Sequence, residues 1–287
     1  MERMSIETAL RTLIAELEQD RSLRVPGYLR QRFEALDALD AHLSGTQSMA
    51  TRLHHRVRAI HAELESINLE VYEVIRRDIQ HGGGAASLLE WMPDEDCAAN
   101  LATREGYDYL DELLSGVLQL EVPSSEAVPL ESEMVPYQPT PARHIFDLVR
   151  RAALTERDVL IDLGAGLGHV TLMVSICTSA SCIGIELEPS YVNCARKSLR
   201  SLNLSNARFI QGDARAEDLS HGTVFYLYTP FNGAILRDVL SALRQESAKR
   251  EIRICTFGPC TRAFAEEPWL SAVGTMDANR ITIFRPR

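Results

Sequence analysis

The sequence lacks several features that would mark a membrane-bound, secreted or metal-binding protein. It has no apolar run of the roughly 18 residues that a membrane-spanning helix needs, and its N-terminus lacks the basic start and apolar stretch of a secretory signal. Its six cysteines form no Cys-x-x-Cys pair, the spacing typical of zinc and redox sites. We therefore expect a cytoplasmic protein with no membrane partner and with reduced, mostly buried thiols.

Basic charge is also scarce. The 287 residues carry a net charge of −10, and Lys and Arg form no long run. Because neutralised phosphates drive the binding of duplex nucleic acid, this balance disfavours nucleic acid as a partner. A small neutral substrate or a basic protein fits the acidic surface equally well.

Residues 1–120 read as helices and predict a helical N-terminal domain. The clearest apolar stripe recurs every three or four residues from Met49 to Val74, on a helix expected from about Gln47 to Gln80. Such a stripe fits the core of a helical bundle, which we favour, or a coiled coil that forms a homodimer. His54 and His61 share a face of this helix, but without a third ligand they predict no metal site.

A change of composition marks residues 121–136, which contain three prolines and four glutamates and predict a linker. Beyond it, in residues 137–287, apolar runs alternate with helices, a pattern that predicts an α/β, Rossmann-like fold with a mostly parallel sheet. The last two runs are close together and predict an antiparallel hairpin at the sheet edge. Seven strands are expected: Val159–Leu163, Ser181–Leu187, Ala207–Gln211, Thr223–Tyr228, Ile252–Phe257, Ala272–Met276 and Arg280–Phe284.

A glycine-rich turn follows the first predicted strand, from Asp162 to Gly168. Gly164, Gly166 and Gly168 permit a tight turn, and the backbone N–H groups of this loop, including that of Ala165, are expected to approach a ligand. The G-x-G-x-G spacing is one residue shorter than the G-x-G-x-x-G dinucleotide fingerprint. Asp162 is expected to be buried and to need a donating or cationic partner, which a positively charged ligand would supply.

Two further acids end the next two strands. Glu186, beside Leu187, closes the second strand and is placed to accept the two hydroxyls of a ribose. Asp213 closes the third strand and is placed to accept from an adenine amino group, with the N–H of Ala214 available to a ring nitrogen. Because ligands of open α/β sheets bind beyond the carboxyl ends of the strands, three acids there predict an adenosine site.

The fourth strand ends in Tyr228, Thr229, Pro230, Phe231 and Asn232. This turn should face the reacting end of the ligand, so Tyr228, Thr229 and Asn232 are the candidates for the substrate side, and Tyr228 is also expected to contact the cofactor. His169 and His144, together with Tyr228, are the candidates for a general base, although none of the three stands out.

These motifs together resemble the class I, seven-strand S-adenosylmethionine-dependent methyltransferases, over about residues 137–287. The stretch Tyr137-Gln-Pro-Thr140-Pro is similar to a branch near the histone-lysine methyltransferases of the disruptor-of-telomeric-silencing type. That resemblance implies that Tyr137 and Thr140 lie beside the methionine end of the cofactor. The turn at Tyr228–Phe231 lacks the Asn/Asp-Pro-Pro-Tyr pattern of amide and adenine N-methylating enzymes.

The resemblance implies transfer of a methyl group from S-adenosylmethionine, with S-adenosylhomocysteine as product, and we favour a small molecule as acceptor. Three alternatives stay open: a protein-lysine methyltransferase, a non-catalytic binding protein for the same cofactor, and a NAD-dependent oxidoreductase, which would share the loop and Glu186. Residues 1–120 are expected to cap the site or to mediate dimerisation.

Overall fold

A computed structural model describes residues 2–44, 51–93, 106–123, 131–277 and 279–287. The chain divides into two compact units, Met1–Val74 and Ile75–Arg287. This division lies before the linker expected at 121–136, of which residues 124–130 are outside the described residues. No helix among the described residues is both long enough and apolar enough to cross a membrane.

The first unit is helical, with α1 at Glu2–Gln19, a 3-10 turn at Arg21–Arg24, α2 at Leu29–Ser44 and the first part of α3, which spans Thr51–Gln80. The apolar stripe of α3 is buried at Leu53, Val57 and Leu64, where it packs with residues of α1 and α2. This packing confirms the expected bundle core for those positions. Met49 and the expected helix start at Gln47 lie outside the described residues.

The second unit places helices around a seven-stranded sheet. Its strands are β1 (Val159–Leu163), β2 (Ser181–Glu186), β3 (Ala207–Gln211), β4 (Val224–Tyr228), β5 (Arg253–Phe257), β6 (Leu270–Ala272) and β7 (Thr282–Pro286). Its described helices, after the end of α3, are α4 (Gly84–Leu89), α5 (Tyr109–Leu118), α6 (Ala142–Ala152), α7 (His169–Cys177), α8 (Pro189–Ser201), α9 (Gly233–Ser247) and α10 (Cys260–Ala265).

The strand order is β3-β2-β1-β4-β5-β7-β6, with β1 to β5 parallel and β7 antiparallel to both β5 and β6. This topology confirms the predicted Rossmann-like fold and its antiparallel last strand. Three details differ from expectation by more than one residue. The segment 212–223 joins β3 to β4 without a helix, β6 begins at Leu270 rather than Ala272, and β7 spans Thr282–Pro286 rather than Arg280–Phe284. Leu270 is buried whereas Val273 and Met276 are exposed, so the sheet takes the earlier residues as its strand.

The strand order reverses between β1 and β4, where open α/β sheets form their ligand crevice. In the pairing register, Asp162 of β1 lies between Gly184 of β2 and Tyr226 of β4. The carboxyl end of β1 therefore carries a carboxylate at the centre of this crevice.

Candidate functional site

A cavity of about 410 Å³ lies at the carboxyl ends of β1 to β4. Its size is within the range of small-ligand sites. Of the expected site residues, those that line it are Tyr137, Thr140, Asp162, Gly164, Ala165, Glu186, Leu187, Asp213, Ala214, Tyr228 and Thr229. Gly166, Gly168 and Asn232 were also expected there and are not among its lining residues.

The amides of the glycine turn are engaged within the protein. The N–H groups of Gly164 and Ala165 both donate to the carbonyl of Ile185 at 2.9 Å, and that of Gly168 donates to Ala165 at 2.8 Å. The N–H of Gly166 donates to Glu186 Oε2 at 2.7 Å. These bonds correct the expectation that the loop amides face a ligand.

Close packing explains why Gly166 and Gly168 are glycines. Their φ angles are +54° and +90°, in the left-handed region that favours glycine. A Cβ atom on Gly166 would lie 2.2 Å from the ring of Tyr137, and one on Gly168 would lie 2.6 Å from the ring of Phe209. Both positions therefore require glycine, because any larger residue would clash with the aromatic ring packed against it.

Asp162 is 3% exposed. Its Oδ2 accepts from the hydroxyl of Thr171, a residue of α7, at 2.9 Å. Asp162 therefore has a donor within the protein and does not depend on a ligand for one. Burial raises the pKa of Asp162 to about 7, and the nearby Glu186 carboxylate adds to the rise while the Thr171 hydrogen bond opposes it. A positive charge in the cavity would favour the ionised form.

The Glu186 carboxylate accepts hydrogen bonds from backbone N–H groups of the glycine turn and of the turn after β2. Oε2 accepts from the N–H of Gly166, as above, and Oε1 accepts from the N–H of Glu188 at 2.9 Å. Burial raises the pKa of Glu186, against these hydrogen bonds. The N–H of Leu187 also donates to this carboxylate, so about one of its four lone-pair directions remains for a ribose hydroxyl.

Asp213 lines the cavity but is already paired. Oδ1 accepts from the N–H of Arg215 at 2.8 Å and from its Nε at 3.0 Å, while Oδ2 accepts from Nε at 2.9 Å and Nη2 at 2.5 Å. The Arg215 side chain therefore holds the pKa of Asp213 below its usual value. The strand-end pattern predicts the acid and does not reveal this arginine.

Tyr137 and Thr140 form the opposite wall. The ring of Tyr137 lies 5.0 Å from that of Tyr191, and its hydroxyl is 3.2 Å from His169 Nδ1. Thr140 Oγ1 is 2.8 Å from the hydroxyl of Tyr226, which is buried in β4. Tyr191 of α8 and Tyr226 of β4 line the cavity as well, and neither was predicted from the sequence.

The acceptor side contains fewer candidates than the sequence predicts. Tyr228 is half-buried, and its ring lies 4.6 Å from that of Phe257. Thr229 Oγ1 donates to the carbonyl of Phe257 and accepts from the N–H of Cys260, each at 3.1 Å, so its hydroxyl is used to join β4 to the turn after β5. Asn232 is exposed and lies outside the lining of the cavity.

Neither histidine fits the role of a general base at neutral pH. Burial lowers the pKa of His144 and of His169 to about 4, with nearby Arg143 and Arg280 adding to the fall at His144. His144 is not among the residues that line the cavity, whereas His169 is. An imidazole with so low a pKa is a weak base, because basicity falls with pKa.

The charge of the lining decides between ligand classes. Its ionisable acids are Asp162, Glu186, Glu188 and Asp213, and the described lining includes no Lys or Arg. A dinucleotide pyrophosphate requires free loop amides or cations, and the amides described above are occupied. A ligand with a sulfonium and an ammonium group matches the four carboxylates, so the residues fit S-adenosylmethionine.

Comparison with known proteins agrees with this site. Residues 154–252 match a family model described as a methyltransferase domain. No curated protein matches the chain. No comparison supports the narrower likeness to the disruptor-of-telomeric-silencing branch.

Solved structures of methyltransferases resemble part of the chain. An RNA methyltransferase from Salinibacter ruber, in complex with S-adenosylhomocysteine, is 26% identical over 52% of this chain and 92% of its own, with a TM-score of 0.42. A precorrin-6y C5,15-methyltransferase from Geobacter metallireducens is 15% identical over 54% of this chain and 92% of its own, with a TM-score of 0.41. At these TM-scores the likeness supports no inference about the acceptor.

The family match, the strand order and the acid-lined cavity are three separate observations, and all of them indicate the same kind of domain. The chain contains a class I, Rossmann-like S-adenosylmethionine-dependent methyltransferase domain.

Proposed function

We propose that the enzyme methylates a small molecule whose accepting group is uncharged when it enters the cavity. The observation that carries this proposal is the contrast in the lining. The acids stand at the ends of β1 to β3, while the lining near the end of β4 is neutral: Gln138, Pro139, Tyr228, Thr229, Pro230, Phe231 and Pro259. Uncharged walls favour an uncharged acceptor, because a buried charge needs a partner.

The cofactor is assigned to the acid-rich part of the cavity. Glu186 would accept a ribose hydroxyl, and Asp213 with Ala214 would contact the adenine. Tyr137, Thr140 and Leu187 would lie along the rest of the molecule, beside Asp162 and the glycine turn. All seven named residues line the cavity. Gly166 and Gly168 of the glycine turn do not line it, and they pack against the rings of Tyr137 and Phe209.

S-adenosylmethionine supplies a methyl group that its sulfonium already activates. The work of this chain is therefore to align the acceptor with that group and to exclude water. Tyr228 would orient the acceptor, since its half-buried ring is fixed against Phe257 and burial raises its pKa, which keeps it protonated as a hydrogen-bond donor. Because neither candidate histidine is basic at neutral pH, an acceptor with a free lone pair fits best.

A lysine side chain is the second candidate acceptor. Tyr137 and Thr140, the residues of the narrower resemblance, do line the cavity. Against it, the neutral wall near β4 offers no carboxylate to draw in an ammonium group. RNA is less suited, because the described lining contains neither Lys nor Arg to meet a phosphate.

Labelled S-adenosylmethionine incubated with fractions of a cell lysate tests the proposal. We expect label in the fraction of small metabolites, and the Glu186→Ala variant as the matched control should transfer none. Label in protein or RNA would contradict the small-molecule acceptor. Binding of S-adenosylhomocysteine without transfer to any fraction would favour a non-catalytic binding protein, and stabilisation by NAD instead would favour the oxidoreductase.

We also propose that the N-terminal helices contribute to acceptor selection or to dimerisation, a role that stays a prediction. Removing residues 1–74, the first compact unit, is the appropriate truncation, since α5 belongs to the unit of the sheet. Asp111 of α5 accepts from the N–H of Ala142, which begins α6. We expect the truncated chain to bind S-adenosylhomocysteine and to lose transfer; full retention of transfer would exclude the capping role.

A further inference from the structure

The segment of residues 131–140, here called the strap, runs past the cavity and leads into α6. Near its start it is fixed to the turn after β4 and to the first turn of α9. The Glu133 carboxylate accepts from the N–H groups of Ala234 at 2.6 Å and Ile235 at 3.0 Å. The N–H of Val135 donates to the carbonyl of Pro230 at 3.0 Å. Residues 134–140 of the strap then line the cavity.

The same end of the strap is also held by an arginine that has two acidic partners. Arg215 Nη2 donates to Glu131 Oε1 at 2.9 Å and to Asp213 Oδ2 at 2.5 Å. The side chain of Glu131 is 56% exposed, while those of Arg215 and Asp213 are each 28% exposed. One guanidinium thus joins the strap to the acid at the end of β3.

Asp213 has little remaining capacity to accept a hydrogen bond. Its two oxygens receive four contacts from Arg215, and a carboxylate offers about four lone-pair directions. A donor on an incoming ligand, such as an exocyclic amino group, must therefore displace part of Arg215. Glu131 is already in contact with Arg215 and can take up the displaced guanidinium without a large movement.

We propose that Arg215 moves from Asp213 towards Glu131 when the adenosine end of the cofactor binds, and that this closes the strap on the cavity. Arg215 and Glu131 are then positioning residues, since they act through Asp213 and the strap. This inference rests on the assignment of the cofactor to the acid-rich part of the cavity.

The test uses the full chain and S-adenosylhomocysteine as the probe, with calorimetry for affinity and amide hydrogen exchange for the strap. In the wild type we expect the probe to slow exchange at strap amides, Val135 among them. In Glu131→Gln we expect the probe not to slow exchange at the strap. Its affinity should be lower by about three- to fivefold, as for the loss of an exposed ion pair. Glu156→Gln, which changes an exposed carboxylate just before the start of β1, should match the wild type.

The double variant separates coupling from general weakening. Arg215→Met should also lose the gain in protection, and adding Glu131→Gln to it should change the affinity no further, because both changes break one link. Additive losses, or a normal gain in protection in Glu131→Gln, would overturn the inference. If the wild type binds no S-adenosylhomocysteine at all, the cofactor assignment fails first.

Discussion

The two halves of the cavity are built by different means. The cofactor half consists of a turn whose amides are bonded within the protein and of acids at the ends of β1, β2 and β3. The acceptor half consists of neutral and aromatic side chains near β4, and its hydroxyl at Thr229 is used to join neighbouring turns. The first half is thus specified by backbone geometry and charge, which a short motif records, whereas the second is specified by shape, which it does not.

The largest effect on stability is expected from Gly168→Ala, which changes the packing of the glycine turn in the cofactor half. The added Cβ would meet the Phe209 ring at 2.6 Å and Ala195 at 3.1 Å, at a φ of +90°. Strain and overpacking together should lower the free energy of unfolding by about 2–5 kcal/mol, measured in urea. Gly274→Ala is the matched control, because Gly274 has a φ of +80° and open space around it. Equal losses in both variants would show that packing at Gly168 adds nothing.

The next effect separates the halves by affinity. Glu186→Ala should raise the Kd of S-adenosylhomocysteine by about 10- to 100-fold, since it removes charge-assisted hydrogen bonds and leaves the amides of Gly166 and Glu188 without their acceptor. Tyr228→Phe, on the acceptor side, should leave that Kd within about twofold. If calorimetry finds similar losses of affinity in both variants, the cofactor half and the acceptor half are not separate.

A dependence on pH should distinguish the cofactor half further. Burial keeps Asp162 protonated up to a pKa of about 7, and a cationic ligand favours its ionised form. The affinity for S-adenosylmethionine should therefore rise with pH, by up to about tenfold per unit below pH 7, and level off above it. Asp162→Asn should flatten this profile. A wild-type profile that is flat between pH 5.5 and about 8 would contradict the assignment.

The same group affects stability in the opposite direction. The pKa of Asp162 is higher in the folded chain than the 3.8 of a free carboxyl, so the native state binds a proton that the unfolded state has released. Its contribution to the free energy of unfolding is full below about pH 4, falls as pH rises towards 7, and is constant above. Urea denaturation of Asp162→Asn should lack this slope, and an unchanged slope would assign it to other groups.

Much of the sheet could be predicted from the sequence because its strands are short apolar runs. β1 and β3 begin and end where expected, and β2, β4 and β5 differ by one residue at one end. The inner strands β1, β2, β4 and β5 are largely buried and read as apolar runs, whereas the edge strand β3 has one buried residue, Phe209. The hairpin was placed less well, since β6 is an edge strand of three residues and its alternation is too short to set its register.

The site could be predicted only where a residue acts from its own strand end. Asp162, Glu186 and Asp213 line the cavity because parallel strands end at one edge. The donor to Asp162 is Thr171 of α7, and Arg215, the donor to Asp213, also binds Glu131, which lies 84 residues before it. No local pattern records such pairs, because they depend on how separate elements meet. His144, a candidate base, and Asn232, a candidate for the substrate side, are not among the residues that line the cavity.

The smallest effect should come from Thr229, and it asks whether the acceptor half contains a catalytic residue there. Its hydroxyl links the carbonyl of Phe257 to the N–H of Cys260, so Thr229→Ala should lower the free energy of unfolding by about 1 kcal/mol. Thr229→Ser keeps the hydroxyl and should restore most of that loss, and both variants should bind S-adenosylhomocysteine like the wild type. If Thr229→Ala is as stable as the wild type yet transfers no methyl group, the hydroxyl serves the reaction and the sequence-based candidate is right. Because a structural hydroxyl changes stability and a reacting one changes turnover, the two measurements on one pair of variants decide the matter.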